Sequence, residues 1–185
     1  MGWVEDAERL DLAVYAAIAR TPTPALDDAM GRLSRAADYS RLSLASAAAL
    51  AVAGGQRGRR AAALGLGSLA ATASIVNLAV KPLWKRRRPD RAGQDVPVAR
   101  HVPMPSSRSF PSGHSAGAFA FATGVGHAMP RAGAPLRALA ALVAYSRVHT
   151  GVHYPGDVLA GALIGTALSQ LTTHALGRRL GGLAG

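Results

Sequence analysis

Three cations, two imidazoles and one carboxylate follow one another in a set order in the second half of the chain. They fall into three blocks. The first is Lys81 with Arg88-Pro89, the second is Pro111-Ser112-Gly113-His114, and the third is Ser146-Arg147 followed by His153 and Asp157. A phosphate ester carries negative charge that its transition state spreads over the equatorial oxygens, so its catalysis is mainly positioning and electrostatic stabilisation. Lys81, Arg88 and Arg147 suit that charge, and the planar arginine fork binds two oxygens at once. Ser112 can cap a helix, and Gly113 lets an oxygen approach the backbone N–H groups of its first turn, a natural anion site. Asp157 can accept a hydrogen bond from one nitrogen of His153 and leave the other free to attack. His114 is the second imidazole. Together these parts suit phosphoryl transfer through a histidine, with no metal and no other cofactor.

Each part also has a plainer role. Basic residues near helix ends commonly snorkel toward lipid head groups, and this is the expectation for Lys85, Arg86, Arg87 and Arg91. Ser112 could be a simple cap, and Asp157 could cap the last helix. His149 is the rival nucleophile, but its relation to Asp157 is less favourable and it falls in the preceding helix. His101 lies in the loop near the site and could touch substrate. His127 and His174 sit in apolar helices without partnered motifs and are expected to face a core or a pore.

The elements that position these groups are helical. Ala61 to Val80, Ser109 to Pro130 and Val158 to Leu176 carry no charge, and each approaches the ~20 residues that cross a bilayer. Leu42 to Gln56 is also uncharged but short, and Ala132 to Ser146 is interrupted only by Arg137. No sustained period-two alternation marks a strand. The chain reads as an all-α integral membrane bundle with five to six membrane helices. Helices are expected at about 40–54, 60–84, 113–129, 134–149 and 157–177. An amphipathic N-terminal region precedes them, with helices over 5–20 and 25–37. Leu10, Val14 and Ile18 mark one face of the first, Glu8 and Asp11 another; Leu26, Met30 and Leu33 are in register on the second. The first suits the membrane interface. The domain division is a single membrane unit over 1–185, with 1–38 amphipathic, 39–177 the helical bundle and 178–185 a basic, glycine-rich tail. Gly113 with Gly117, and Gly161 with Gly165, have the spacing that lets helix backbones approach closely. A homo-oligomer is compatible with this pattern.

Composition narrows the partners. The formal charge of +11 favours an anionic one. Nucleic acid is not expected, because the basic residues are not interleaved with aromatics and no nucleic-acid module is present. With no cysteine, disulfides and thiolate metal sites are excluded. Glu5, Asp6 and Glu8 stand where a cleavable signal peptide has basic residues. Basic turns at Gln56–Arg60 and Pro130–Arg137, with Arg178-Arg179, fall on one side of a five-helix bundle, which the positive-inside rule makes cytoplasmic. The 85–112 segment and the Gly151–Gly156 turn then lie opposite. That segment is itself rich in arginine; if its cations serve the substrate, the expected site is extracytoplasmic.

The order and spacing of the blocks resemble the signature of the type 2 phosphatidic acid phosphatase superfamily. That signature is a lysine, six residues and Arg-Pro; then Pro-Ser-Gly-His; then Ser-Arg, five residues, a histidine, three residues and an aspartate. Lys81 to Arg88-Pro89, Pro111 to His114, and Ser146-Arg147 through His153 to Asp157 match it throughout. The resemblance implies a metal-independent phosphatase of lipid phosphates in a bacterial plasma membrane. It implies that His153 attacks phosphorus, Asp157 orients it, and His114 protonates the leaving oxygen and then activates water. It assigns Lys81, Arg88, Ser112, Gly113 and Arg147 to the phosphoryl oxygens. The N-terminal portion, the Lys85–Arg91 run and the stretch Ala99–Gly156 also look like the phosphatase half of bacterial proteins that join this unit to a diacylglycerol kinase. Small phosphatases of polyprenyl-linked intermediates in high-GC bacteria are similar too. The two comparisons imply different lipids, phosphatidic acid type or polyprenyl phosphate type. Two alternatives stand beside them. One is a vanadium-dependent haloperoxidase, whose pocket is built alike, although the short chain and long apolar helices argue against it. The other is a non-catalytic binder of anionic lipid, which needs neither His114 nor the His153–Asp157 pair.

Overall fold

The computed structural model describes residues 2–181, with side chains through residue 175 except that of Val4. Every long element among them is a helix: α1 (Gly2–Arg20), α2 (Pro24–Ala36), α3 (Arg41–Ala53), α4 (Gly55–Leu83), α5 (Gly113–Ala128), α6 (Pro130–His149) and α7 (Pro155–Gly181). Short 3-10 turns stand at Asp38–Ser40 and Val98–Arg100. The expected tail 178–185 begins inside α7. Residues 182–185 and the side chains of Arg178 and Arg179 lie outside the described part.

Helix boundaries follow local chemistry, and in two places they differ from the expected turns. The basic Gln56–Arg60 segment is already helical, because the chain reverses one step earlier at Gly54-Gly55, where Gly55 has φ 57°. Pro130 to Arg137 is likewise the start of α6: Pro130 occupies its first turn, where a missing N–H costs nothing. In α4 the residues Val76–Val80 form a π turn immediately before Lys81. Such widened turns often mark functional sites, and here Val76, Asn77 and Lys81 all line the central cavity.

α5 is the central helix and packs on α4, α6 and α7. Glycine makes the α5–α7 approach close. A Cβ at Gly165 would lie 2.1 Å from Ala116 O, and one at Gly161 would lie 2.5 Å from Ser112 O. Gly117 has the same spacing from Gly113, yet a Cβ there would meet nothing nearer than Leu69 at 4.0 Å. α3 packs along α4, with no comparable seam to α6 among the described residues. The slot between α3 and α6 is lined by Leu42, Ser43 and Ser46 on one side and Leu136, Leu139 and Val143 on the other.

By length and composition, Gly55–Leu83 is the one described helix apolar enough to cross a membrane, with mean hydropathy 1.7 in its best window. That is fewer than the five to six expected. α5 has only 16 residues, roughly 24 Å at 1.5 Å per residue. α6 carries Arg131, Arg137 and two prolines, and α3 has 13 residues.

The apolar face of α1 expected from Leu10, Val14 and Ile18 divides, with Ile18 packed against the core. Leu10 and Val14 of α1 face outward with Trp3, while Tyr15 and Ala19 are buried and Asp11 points into the protein. The reason is polar: Arg100, almost fully buried, donates to Asp27 Oδ1 at 2.8 Å, Ile18 O at 2.9 Å, Thr21 O at 2.6 Å and Thr23 Oγ1 at 2.9 Å. This guanidinium ties the α1–α2 corner to the long 84–112 loop and fixes the rotation of α1.

Candidate active site

Helix ends from three parts of the chain bring the motif blocks to one end of the bundle. α6 stops at His149, and Gly151 (φ 71°) reverses the chain, so that the N–H groups of Val152 and His153 both donate to Arg147 O, at 3.0 and 3.2 Å. This delivers His153 beneath the loop. Ser112 caps α5, its Oγ accepting from Ser115 N at 3.4 Å, and its own N–H donates to Asp157 O at 2.9 Å. The start of α5 is thereby joined to the start of α7. Lys81 closes the third side from α4: a Cβ at Gly113 would meet its Nζ at 3.7 Å.

The result is a cavity of about 240 Å³ lined by Lys81, Arg88, Gly113, His114, His153 and Ser107, among others. Leu42, Ser43, Ala118 and Val143 line both this cavity and the α3–α6 slot, a narrow space of about 20 Å³, so the apolar slot adjoins the polar chamber. Five expected site residues thus meet at one opening. Asp157, Ser112 and Arg147 stand behind it, all buried. Arg147 Nη1 donates to Ser34 Oγ at 2.7 Å and Ser34 O at 3.2 Å, and lies 3.5 Å from Asp38 Oδ1.

The tautomer of His153 follows from its partners. Arg88 can only donate, so Nε2, 3.1 Å from its Nη1, is the acceptor and carries the lone pair. The proton then sits on Nδ1 and is directed at Asp157 Oδ2, a long 3.4 Å away, with Ser109 Oγ at the same distance. Burial pushes the His153 pKa down to about 4, against the opposing effect of its hydrogen bond to Asp157. The imidazole is therefore neutral near pH 7 with its lone pair toward the cavity. Asp157 itself accepts from Arg86 Nη1 at 2.8 Å, Tyr154 N at 2.9 Å and the Ser109 hydroxyl.

Several residues in this network were not legible as site residues. Ser107 accepts from Lys81 Nζ at 3.1 Å and from Arg88, through its carbonyl, at 2.8 Å, holding both cations at the rim. Asp38 Oδ1 lies 3.0 Å from His114 Nε2. Arg86 does not snorkel: it bridges Asp157 and Asp11. Arg91 is also drawn inward, donating to Val102 O at 2.9 Å and Gly151 O at 3.3 Å. Lys85 and Arg87 are exposed, as expected. The only sequence hint for the serines is the polar run Ser106-Ser107-Arg108-Ser109 just before Pro111.

The other histidines separate cleanly. His149 is buried with its Nε2 2.9 Å from Asp27 Oδ1, away from the cavity. His101 donates to Val96 O at 3.1 Å and does not line the cavity. His127 and His174 are exposed on the outside of the bundle rather than facing a core or pore. Among the described residues no group of three or more His, Cys, Asp or Glu is placed to hold a metal ion.

Comparison with known proteins places this arrangement. Decaprenylphosphoryl-5-phosphoribose phosphatase of Mycobacterium tuberculosis (strain H37Rv) is 35% identical over 122 residues, 65% of this chain and 65% of that protein. That match spans just under two thirds of the relative's length. The protein of the same description from Mycolicibacterium smegmatis is 34% identical over 161 residues, covering 85% of this chain and 84% of its own. Among solved structures, the transmembrane PAP2 type phosphatidylglycerolphosphate phosphatase from Bacillus subtilis superposes with a TM-score of 0.69 at 25% identity, over 94% of this chain and 87% of that one. The PAP2 superfamily model matches residues 62–180, which run from α4 to the end of α7 and take in all three motif blocks, so the chain belongs to the PAP2 superfamily.

Proposed function

We propose that this chain is an integral membrane phosphatase that removes the terminal phosphate of a lipid phosphate through a phosphohistidine on His153. The observation that carries the proposal is the His153 lone pair facing a cationic chamber that also holds His114 and adjoins an apolar slot. Charge on Lys81, Arg88 and Arg147 serves the phosphoryl oxygens in place of a metal, with Gly113 and the α5 N-terminus beside them. In the first step His153 Nε2 forms a bond to phosphorus as the bond to the leaving oxygen breaks. His114, once it has taken up a proton beside the dianionic phosphate of the substrate, gives that proton to the leaving oxygen. The imidazole becomes cationic while Asp157 holds its Nδ1–H. In the second step water attacks phosphorus, the P–N bond breaks, and His114 takes the proton from water.

The apolar slot lets the lipid chain stay between α3 and α6 while the phosphate meets the cations. Helices α3 to α7 then span the bilayer, with α1 and α2 along its surface. Arg57, Arg59, Arg60 and Arg131 mark the end of the bundle away from the cavity. The positive-inside rule makes that end cytoplasmic and the site extracytoplasmic. Among lipids, a polyprenyl-linked phosphate is favoured by the two mycobacterial relatives, one of them similar over most of the chain.

The test is phosphate release from phosphatidic acid, phosphatidylglycerol phosphate, a polyprenyl diphosphate and a polyprenyl-phosphoryl-pentose phosphate, in detergent and with chelator present. The last is expected to turn over fastest. His153→Ala is expected to abolish turnover and the acid-labile phosphoenzyme together, and wild-type activity in that variant refutes the assignment.

A further inference from the structure

Asp157 is fully enclosed, and its hydrogen bond to His153 is long. A buried carboxylate needs a close counter-charge. That charge comes from Arg86, at a position the motif leaves unspecified between Lys81 and Arg88. One edge of its guanidinium donates to Asp157 Oδ1 at 2.8 Å, and Nη2 donates to Asp11 Oδ2 on α1. Its plane lies 4.3 Å from the Tyr154 ring centroid. Asp11 is fixed in turn, its Oδ1 accepting from Gly156 N at 2.6 Å. The fork therefore joins a residue 145 positions upstream to the turn that carries the reacting histidine.

We propose that Asp11 and Arg86 are positioning residues for the His153–Asp157 pair, so that the N-terminal surface helix completes the site. This rests on the phosphohistidine assignment above. Charge balance explains why both are needed. Arg86 alone would neutralise Asp157 and leave it a poor partner for the cationic phosphoimidazole. Asp11 offsets Arg86, so the three groups carry a net charge of about minus one, which stays available to His153. A planar fork can bridge two carboxylates in this way, whereas an ammonium is a point charge. The charged and titratable groups around the pair are Arg86, Asp11 and Tyr154 on one side and Lys81, Arg88 and Arg147 on the other, with Ser109 as a hydroxyl donor.

The experiment compares Asp11→Asn, Arg86→Met and Arg86→Lys with wild type in the full chain, using the best lipid phosphate of the panel. Asp11→Asn is nearly isosteric and keeps the proposal testable if Arg86→Met does not fold. It is expected to slow phosphoenzyme formation in single turnover by about tenfold with KM unchanged. Arg86→Met removes a cation, so protonation of His153 becomes easier, and the acid limb of kcat/KM is expected to move up by about one pH unit. Arg86→Lys is expected to restore the limb but not the rate, because charge returns without the fork. Wild-type phosphoenzyme kinetics in Asp11→Asn, or an unmoved limb in folded Arg86→Met, overturns the proposal. A wild-type protein that forms no phosphoenzyme overturns the assignment beneath it, and the proposal with it.

Discussion

Gly165→Ala adds one methyl group far from the proposed site, yet it should cut the proposed phosphate release sharply. The added Cβ would stand 2.1 Å from Ala116 O and 2.8 Å from Ala116 C, both backbone atoms that cannot rotate away. Ordinary contact begins near 3.4 Å, so α5 and α7 must separate by about 1 Å, and overpacking of this kind costs ~1–3 kcal/mol. The displaced backbone is the first turn of α5, which holds Gly113 and His114, while α7 begins with Asp157. A misplacement of about 1 Å between reacting groups is worth roughly 100-fold in rate. Thermal unfolding in detergent and steady-state phosphate release are the two assays. The expected result is a lowered Tm together with a kcat loss of about 100-fold. Gly31→Ala is the control: it is helical, its Cβ would meet only the flexible Arg35 guanidinium at 3.4 Å, and it should hold or raise stability. Wild-type Tm and kcat in Gly165→Ala would refute the idea that this backbone contact sets the place of α5.

Other outcomes follow from the same geometry. Arg100→Met removes the guanidinium partner of buried Asp27, which keeps Thr23 and His149, and three further hydrogen bonds at the α1–α2 corner, and should cost about 3–5 kcal/mol by denaturant unfolding. His153 is held neutral by burial, its pKa falling from 6.5 to about 4. The unfolded chain therefore binds this proton first, and stability should be full above pH 6.5 and fall as pH drops toward 4. Activity should likewise be lost at the acid end as pH falls through about 4, read as kcat/KM against pH. Leu139→Trp fills the α3–α6 slot without touching the cationic chamber. It should lower turnover of a long-chain lipid phosphate at least about tenfold and spare a short, water-soluble phosphate ester, since only the former needs the slot.

Local patterns in the chain determined the helices and the motif spacing. Charge-free runs, proline breaks and the Ser112 cap act over a few residues, so α3 to α7 begin and end near where composition places them. The meeting of Lys81, Arg88, Gly113, His114 and His153 was legible for the same reason: each stands at a helix end or turn whose position is locally encoded. Tertiary structure decided what spacing cannot distinguish. Arg86 and Arg87 are neighbours of one residue type, yet one is half-buried between two aspartates and the other is exposed, because only Arg86 faces α1. Gly117 and Gly165 share a sequence spacing, but only Gly165 meets another helix's backbone. Asp11, Asp38 and Ser107 reach the site from distant or unmarked segments, through pairings that depend on how α1, the α2–α3 turn and the long loop pack. The rotation of α1 was set this way too: its periodicity was plain, but the ties through buried Arg100 and half-buried Arg86 turned Asp11 and Tyr15 inward and left Leu10 and Val14 outside. Short-range sequence carries backbone conformation, whereas the partner of a long polar side chain is a property of the packed bundle.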